Sequence, residues 1–197
     1  MSIPVHLTFA EINMGAAAGV WRQLQSISKG LREKKHCATK SGWDIGVAGA
    51  IGELAFAKAM GLYWGGQEGT FKGPDVGGFQ VRTTFNPKGR LPWREGDSLD
   101  EMFVLVAGTP PDMEVVGWII GHDAKRVGNH ENPNGGGWAW FVNQDQLTPL
   151  NHPDDLAPPT PQARVASVAK QAQTEAAGAP AGPEATPPVQ GDEPTPF

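Results

Sequence analysis

Cysteine is almost absent from this chain: Cys37 is the single one in 197 residues. A lone cysteine excludes an internal disulfide and a cysteine-based zinc site, which suits a reducing cytoplasm. Long hydrophobic runs are also missing, because the longest, such as residues 115–120, are far too short to span a bilayer. Residues 1–10 lack the basic start and apolar core of a signal peptide. We therefore expect a soluble, cytoplasmic protein that does not bind membranes.

The five histidines are scattered, with no pair at i, i+4 or at finger-like spacing, so a histidine-based zinc site is not expected. The net charge of −5 is distributed unevenly. Residues 1–150 hold 14 Lys and Arg against 15 Asp and Glu, whereas residues 151–197 hold 2 against 6. A near-neutral region with clustered basic residues still binds a polyanion, since the local field guides approach. The net charge therefore neither excludes nor indicates a nucleic-acid partner.

The composition changes near residue 151. Ten of the 18 prolines lie beyond that point, and no aromatic residue occurs there until Phe197. Such a segment buries too little apolar surface to offset the entropy lost on ordering. We therefore predict one folded domain over residues 1–150 and a disordered, acidic Pro/Ala-rich tail over residues 151–197.

A first helix is predicted from Phe9 to about Lys35, because apolar residues recur there at helical spacing, with an interruption at Gly30. Basic residues cluster at its end, and two interpretations stay open. The cluster is either a solvated helix end whose cations suit the helix dipole, or a contact for a phosphate backbone. In the second case the DNA-binding residues here are Lys34, Lys35 and Lys40.

A second helix is predicted from the N-cap residue Ser41 to about Met60, with Gly61 as its C-terminal stop. Its many glycines and alanines indicate close packing against a sheet or another helix. Glu53 lies in the middle of this otherwise apolar helix. A solvent-facing glutamate is one interpretation, but a carboxylate pointed at a polar cleft fits the small surrounding residues better.

The stretch PDVGGFQVRTT reads as an acidic residue at a strand end, a Gly-Gly turn and a second strand. On that second strand Gln80 and Arg82 share one face, whereas Phe79 and Val81 point to the other. The apolar pair is expected in a core and the polar pair in a cleft. The turn is expected to bring Asp75 to the same cleft, so that a carboxylate, an amide and a cation converge.

Further strands are predicted at residues 101–108 and 114–121, paired antiparallel across a turn at 109–112. A short helical turn at 122–126, a loop at 129–137 and a last strand at 138–142 follow. Basic residues beside an aromatic one, after the Gly-Gly turn, are typical of a sugar-phosphate contact and equally of a polar loop. These DNA-binding candidates are Lys88, Arg90 and Arg94. Among the tryptophans, Trp21, Trp43 and Trp118 are expected in the core, and Trp64 and Trp93 are candidates for base stacking.

The order of a helix with Glu53, a Pro-Asp pair, a Gln-x-Arg strand and further core strands resembles the PD-(D/E)XK nuclease superfamily, which has the restriction-endonuclease-like fold. The chain is similar to small phage or mobile-element nucleases of that fold, over about residues 41–121. Asp75 and the proline before it match the family pattern literally. Gln80 occupies its second acidic position and Arg82 its lysine position. The resemblance implies an α/β protein with a mixed central sheet flanked by helices.

The same resemblance implies a nuclease that hydrolyses phosphodiester bonds of DNA with Mg²⁺ or Mn²⁺, in the host cytoplasm if the chain is phage-encoded. Its metal ligands are Glu53, Asp75, the Gln80 amide and the backbone oxygen of Val81. Glu53, Asp75, Gln80 and Arg82 are its catalytic residues. Arg82 is expected to stabilise the phosphate oxygens, since arginine does not accept a proton.

Two other classes of function stay open. In the first, the chain is a nuclease-fold module that has lost catalysis and binds DNA or a protein partner, in keeping with the departures at Gln80 and Arg82. In the second, it is a structural or virion-associated protein in which the Gly-Gly turn is only a sheet element. The sequence does not define the oligomeric state, and a homodimer is compatible with it.

Overall fold

The structure is a computed structural model that describes residues 2–31, 41–66, 74–133, 135 and 137–150. These residues belong to one compact unit, Met1–Leu156. Within the described ranges, three α-helices and two β-sheets form a mixed α/β arrangement. The elements in chain order are β1 (Ile3–His6), α1 (Phe9–Ser28), α2 (Gly42–Met60), β2 (Phe79–Thr84), β3 (Leu91–Trp93), β4 (Met102–Thr109), β5 (Asp112–Ile120), α3 (Gly121–Val127), β6 (Asn129–Glu131) and β7 (Ala139–Val142), followed by a 3-10 turn at Gln144–Gln146.

The larger sheet has four strands in the order β1-β5-β4-β2. β4 and β5 form an antiparallel pair, and β1 adds to β5 in the antiparallel sense. β2 runs parallel to β4, with Phe79 opposite Met102 and Arg82 opposite Leu105. In the part of the chain that the structure describes, no second strand pairs with β2, so β2 is an edge strand of this sheet. The candidate site lies along its free edge.

The smaller sheet has three strands in the order β3-β7-β6 and covers one face of the larger sheet. The buried residues that join the two sheets come from β3, β4, β5 and β7: Leu91, Trp93, Phe103, Leu105, Ile119 and Val142. The opposite face of the larger sheet carries the main core, which includes Phe79, Val81, Val104, Val106 and Val115. This second face is covered by α2, so the larger sheet lies between helices and a small sheet.

α2 lies directly on the main core and is enclosed on all sides over Ala50 to Ala57. Phe56 packs edge-on against Phe79 of β2, with 5.4 Å between the ring centroids. One helical turn earlier, a Cβ on Gly52 would lie only 1.9 Å from the Thr83 Oγ1 atom. The missing side chain at this position is therefore what lets α2 approach β2 so closely.

α1 lies outside α2 and contacts it through glycines. A Cβ on Gly15 would lie 3.0 Å from the Ile51 Cα atom, and one on Gly19 would lie 2.6 Å from the Gly46 carbonyl oxygen. Because the earlier glycine meets the later part of α2, the two helices run antiparallel. The two helices are therefore in close contact at these glycines.

The prediction for the second helix is confirmed at both ends. Ser41 and Asp44 cap its first turn reciprocally, and Gly61 ends it in the left-handed conformation. The antiparallel β4–β5 pair, the short helix α3 and the last strand β7 also lie where the sequence predicts them. In the sequence these elements are marked by long apolar runs or by turn residues at their ends, which explains the agreement.

The first helix ends at Ser28, not near Lys35 as predicted. Gly30 has φ of +62°, and the Leu31 N–H donates to the Ser26 carbonyl oxygen, which closes the helix end. Part of the loop predicted at 129–137 is strand β6, and the strands β1 and β3 were not predicted. Runs of three or four residues are too short to show an alternating pattern.

The core prediction is wrong for Trp21 and Trp43, which are 52% and 38% exposed. Trp21 lies on the outer helix α1, and Trp43 lies in the first turn of α2, before the part of α2 that is enclosed. Apolar character does not ensure burial at such positions. Trp118 does pack against the main core, as expected. Trp93 is 1% exposed, so the prediction that it stacks on bases is wrong.

Two of the predictions concern residues outside the described ranges. The tail predicted over residues 151–197 is one, and the basic cluster of Lys34, Lys35 and Lys40 is the other. Among the described residues, no helix combines the length and the apolar character needed to cross a membrane.

Candidate active site

A tight turn holds Asp75 beside the start of β2. Gly77 and Gly78 both have positive φ, +57° and +90°, the combination required by the hairpin turn that matches strand twist. The turn is closed by Phe79, whose carbonyl oxygen accepts hydrogen bonds from the N–H groups of Asp75 at 2.8 Å and Val76 at 3.2 Å. The Gly-Gly pair in the sequence therefore fixes the position of the aspartate.

The Asp75 side chain lies at the free edge of β2 and binds its backbone there. Its Oδ2 atom accepts a hydrogen bond of 2.8 Å from the Val81 N–H. Alternate residues of a strand point their backbone groups to opposite edges, so the Val81 carbonyl oxygen shares this free edge. A carboxylate and a backbone carbonyl oxygen are thereby brought to the same edge of the sheet.

Glu53 approaches from α2 and is the one charged side chain among the buried residues that the structure describes, with 5% exposure. Arg22 of α1 donates to both of its carboxylate oxygens, at 2.7 Å each. The Trp64 indole N–H donates to Oε2 at 3.1 Å. Glu53 is therefore turned inward, as the cleft interpretation requires, and its charge is compensated by a guanidinium.

The two carboxylates are close enough to affect each other. The pKa of Asp75 is raised from 3.8 to about 6, chiefly by burial and also by the negative charge of Glu53. The Val81 N–H, Arg82 and Arg22 oppose this shift but do not cancel it. Two acidic groups from separate elements thus share a partly desolvated region, which costs free energy unless a positive charge lies nearby.

Gln80 and Arg82 leave β2 on the face opposite to the one that contacts α2. Arg82 forms an ion pair of 2.9 Å with Asp97 and lies over the Phe103 ring, 5.0 Å from its centroid. Its Nε atom is buried and has no hydrogen-bond partner. The positive charges of Arg82 and Arg22, which lie on opposite sides of β2, both lower the pKa of Asp75.

The basic residues after β2 differ in their surroundings. Lys88 is exposed, whereas Arg90 forms a bidentate pair with Glu131, which raises the pKa of Arg90. Burial lowers the pKa of Arg94, and the charge of Arg82 adds to this effect. Among the three, Lys88 is the most accessible to a polyanion.

The donor atoms suit a hard divalent cation such as Mg²⁺ or Mn²⁺. Asp75 and the Val81 carbonyl supply oxygens at the free edge, Glu53 carries its carboxylate on α2, and the Gln80 amide leaves β2 on the opposite face. In the described ranges no three or more His, Cys, Asp or Glu side chains group around one point, so a cation here would rely on two carboxylates, neutral oxygens and water. The guanidinium of Arg22 already occupies both oxygens of Glu53, so a cation that binds Glu53 would have to share them with Arg22.

Two residues of this arrangement were not anticipated from sequence. Arg22 follows Gly19 by three positions and Gly15 by seven, so helical spacing places it on the α2-facing side of α1. That spacing was a usable signal. Asp97 lies in the connection between β3 and β4 and carries no local pattern that marks it as the partner of Arg82.

Comparison with protein-family models, with curated proteins and with solved structures finds no match for this chain. The functional assignment therefore depends on the geometry of the site itself.

Proposed function

We propose that this chain is a metal-dependent nuclease of the restriction-endonuclease-like fold that hydrolyses phosphodiester bonds of DNA. The observation that carries the proposal is the pair of carboxylates, Glu53 and Asp75, brought together in a partly desolvated region from a helix and a turn. Arg22 compensates the charge of Glu53, but the pKa of Asp75 stays raised, so Asp75 is the acidic group of the pair that burial and the charge of Glu53 disfavour. Perturbed acidic groups of this kind mark candidate functional sites.

The arrangement of elements supports the fold assignment. A helix carrying a buried glutamate lies on a mixed sheet, the aspartate follows a proline in a turn, and the Gln-x-Arg strand is parallel to β4. The face of the sheet away from α2 is covered by the small β3-β7-β6 sheet and α3. This small sheet is an addition to the helix-flanked arrangement implied by the resemblance.

Asp75 and the Val81 carbonyl would hold the cation at the free edge of β2, with Glu53 as the ligand from α2; Gln80 leaves β2 on the opposite face and is not part of this proposal. A bound Mg²⁺ supplies a water of lowered pKa and neutralises charge on the scissile phosphate. Asp75 orients its carboxylate through the Val81 N–H bond, so one of its oxygens is fixed in direction. The Trp64 indole and Arg22 hold Glu53 in a single orientation.

Two guanidiniums act on this region from opposite faces of β2. Arg82 occupies the position of the family lysine, and its Nε atom has no partner although Asp97 binds its terminal nitrogen. Arg22 lies on the side of Glu53. Both supply fixed positive charge for the non-bridging oxygens of a phosphate, and neither serves as a base. The base role therefore falls to metal-bound water or to a carboxylate.

The test is cleavage of supercoiled plasmid and of single-stranded DNA in Mg²⁺ and in Mn²⁺. We expect the wild type to cleave in at least one metal and Asp75→Asn and Glu53→Gln to lose at least about 100-fold in rate. Asp100→Asn, an exposed aspartate away from the site, is the matched control and should retain full activity. Full activity of Asp75→Asn would refute the assignment.

A second function, a nuclease-fold module that binds DNA without cutting it, is favoured by one observation. Both oxygens of Glu53 are engaged by Arg22, and a cation that binds there must displace or share that guanidinium. Retention of labelled DNA in a gel shift, with no cleavage in either metal, is the result expected for such a module. Cleavage that requires Asp75 excludes it.

A further inference from the structure

The face of β2 away from α2 carries an arginine that shares one carboxylate with a second arginine from the next loop. The Arg82 Nη2 atom lies 2.9 Å from the Asp97 Oδ1 atom. Asp97 Oδ2 accepts a hydrogen bond of 2.8 Å from the backbone N–H of Arg94, and the Asp97 N–H donates to the Arg94 carbonyl oxygen at 2.8 Å. Both carboxylate oxygens are therefore engaged, and the turn at residues 94–97 is fixed beside Arg82.

This cluster holds more positive than negative charge. Asp97 pairs with Arg82, whereas the neighbouring Glu95 turns to Lys125 at 3.4 Å. Among the described residues, no carboxylate lies within ion-pair distance of the Arg94 guanidinium. Burial lowers the pKa of Arg94, the charge of Arg82 adds to this effect, and Asp97 opposes it. Arginine stays charged in proteins, so two guanidiniums share one carboxylate here.

The strand itself adds no negative charge to this face. Residues two apart on a strand share a face, so Gln80 and Thr84 lie on either side of Arg82, and both are uncharged. Asp75 is a further carboxylate that interacts with Arg82, since the charge of Arg82 lowers its pKa. Its carboxylate, however, lies at the free edge of β2, where it binds the Val81 N–H. The excess positive charge on the face is therefore not balanced there.

Arg82 also has a donor that lacks an acceptor. Its side chain is 18% exposed, and its Cζ atom lies 5.0 Å from the centroid of the Phe103 ring. In the part of the chain that the structure describes, its buried Nε atom has no hydrogen-bond partner. A buried donor without an acceptor costs free energy. Phosphate oxygens are strong acceptors for a guanidinium, whose N–H groups form a planar fork that fits them.

We propose that Arg82 and Arg94 together bind one phosphate group on the face of β2 away from α2. Asp97 holds the two arginines side by side, and the phosphate supplies the negative charge that one carboxylate does not. Partial burial strengthens this attraction, since charges interact more strongly where water is scarce. A divalent cation would be repelled by the same two guanidiniums.

The phosphate comes either from a nucleic-acid backbone or from a small phosphate compound. The backbone is the source we expect, because the effect of Arg82 on the pKa of Asp75 places this site beside the proposed cation site. A backbone phosphate held here would keep the strand next to the bond that is cut. This choice of source rests on the proposed function, whereas the binding of phosphate as such does not.

The first test is fluorescence anisotropy of a labelled single-stranded oligonucleotide, titrated with the full chain in EDTA so that nothing is cut. Arg94→Gln should weaken binding by at least about tenfold, because charge-assisted hydrogen bonds to a phosphate are lost. Arg126→Gln is the matched control, since Arg126 is an exposed arginine of α3 paired with Asp123, and this variant should bind like the wild type. Each variant is melted to verify folding.

The salt dependence of binding separates a phosphate contact from a structural role. Each neutralised phosphate contributes about 0.7 to the slope of log K against log salt concentration for a single strand. Arg94→Gln should reduce the slope by about this amount. Arg94→Lys keeps the charge, so it should retain the wild-type slope and recover part of the affinity. An arginine that only supports the fold would change the melting temperature and leave the slope as it is.

The second test uses inorganic phosphate without DNA, followed by differential scanning fluorimetry. A ligand that binds only the folded state raises the melting temperature. Sodium phosphate should raise that of the wild type more than NaCl at equal ionic strength, and the difference should vanish in Arg94→Gln. Oligonucleotide binding that depends on Arg94 assigns the site to a nucleic-acid backbone. Stabilisation by phosphate that depends on Arg94, without oligonucleotide binding, assigns it to a small phosphate compound.

The inference is overturned if Arg94→Gln behaves like the wild type in both tests, or if Arg126→Gln weakens binding equally. Failure of the proposed function is seen separately. A chain that binds DNA through Arg94 but cleaves none in Mg²⁺ or Mn²⁺ retains the phosphate site and loses the nuclease assignment. Cleavage that requires Asp75, together with an Arg94→Gln variant that matches the wild type, retains the nuclease and removes the phosphate site.

Discussion

Arg22 donates to both carboxylate oxygens of Glu53 at 2.7 Å, and this contact joins the outer helix to the centre of the candidate site. The glutamate is 5% exposed, so its charge has little access to water. A buried carboxylate that loses its partner is strongly destabilising, whereas removing both charges together is often tolerated. This asymmetry leads to the first prediction.

Arg22→Ala should lower the free energy of unfolding by about 3 kcal/mol, because it leaves Glu53 buried without its cation. The double variant Arg22→Ala, Glu53→Gln should recover part of this loss. Urea denaturation of the four members of the cycle measures the coupling. Arg126→Ala is the matched control: its exposed pair with Asp123 should be worth less than about 0.5 kcal/mol. Strict additivity of the Arg22 and Glu53 effects would contradict the prediction.

Asp75→Asn should stabilise the fold at neutral pH and have little effect near pH 4. The folded-state pKa is about 6, against an ordinary value of 3.8, so between these values the folded state holds a proton that the unfolded state has released. Stability from this group is therefore greatest at low pH and falls as the pH rises from about 4 to about 6.

The asparagine removes that loss and keeps an oxygen for the Val81 N–H. We expect the stability difference between Asp75→Asn and wild type to grow with pH to about 2 kcal/mol. Chemical denaturation at several pH values measures it. For the control Asp100→Asn, the stability difference from wild type should not change with pH. A stability difference for Asp75→Asn that shrinks as the pH rises would contradict the prediction.

Mg²⁺ should raise the melting temperature of the wild type at pH 7.5 but not that of Asp75→Asn. A cation that binds only the folded state stabilises it by about 2.7 kcal/mol at 100 times its dissociation constant. Differential scanning fluorimetry with increasing MgCl₂ provides the measurement. An equal ionic strength of NaCl controls for screening, and equal shifts in both salts or in both proteins would exclude a site at Asp75.

Gly52→Ala should destabilise the fold, whereas Gly49→Ala on the same helix should stabilise it. A Cβ at position 52 would lie 1.9 Å from Oγ1 and 2.7 Å from Cβ of Thr83, so rotation of the threonine does not relieve the clash. We expect a loss of about 1 to 3 kcal/mol. A Cβ at position 49 would meet no atom within 4 Å apart from the neighbouring backbone of its own helix, and alanine should gain up to about 1 kcal/mol of helix propensity. Thermal melts of both variants test the contrast.

The local features of the site could be predicted from sequence. Ser41, the Gly-Gly turn and the two-residue alternation around Val81 each depend on a few neighbouring residues. They were sufficient to place Glu53 on a helix and Asp75 in a turn beside a strand. Local pattern is reliable here because each residue acts through its own backbone conformation.

The long-range features could not be predicted in this way. The Asp97 partner of Arg82 comes from a separate loop, and no spacing links the two. The placement of Glu53 and Gln80 on different faces of β2 follows from how α2 packs, which depends on Gly52 and Thr83 meeting in three dimensions. The prediction that Trp21 lies in the core failed for a different reason. Apolar character was taken to mean burial, whereas this side chain lies on the exposed side of α1.

The hydrogen bond that Asp75 accepts from the Val81 N–H also affects how the free edge of β2 interacts with other copies of this protein. An unpaired strand at a sheet margin is a template on which a strand from another molecule can grow, and proteins prevent this with charged groups or plugs. The Asp75 carboxylate occupies a donor that an incoming strand would need. The same side chain that is proposed to serve chemistry therefore also guards the protein against intermolecular strand addition and the aggregation that follows from it.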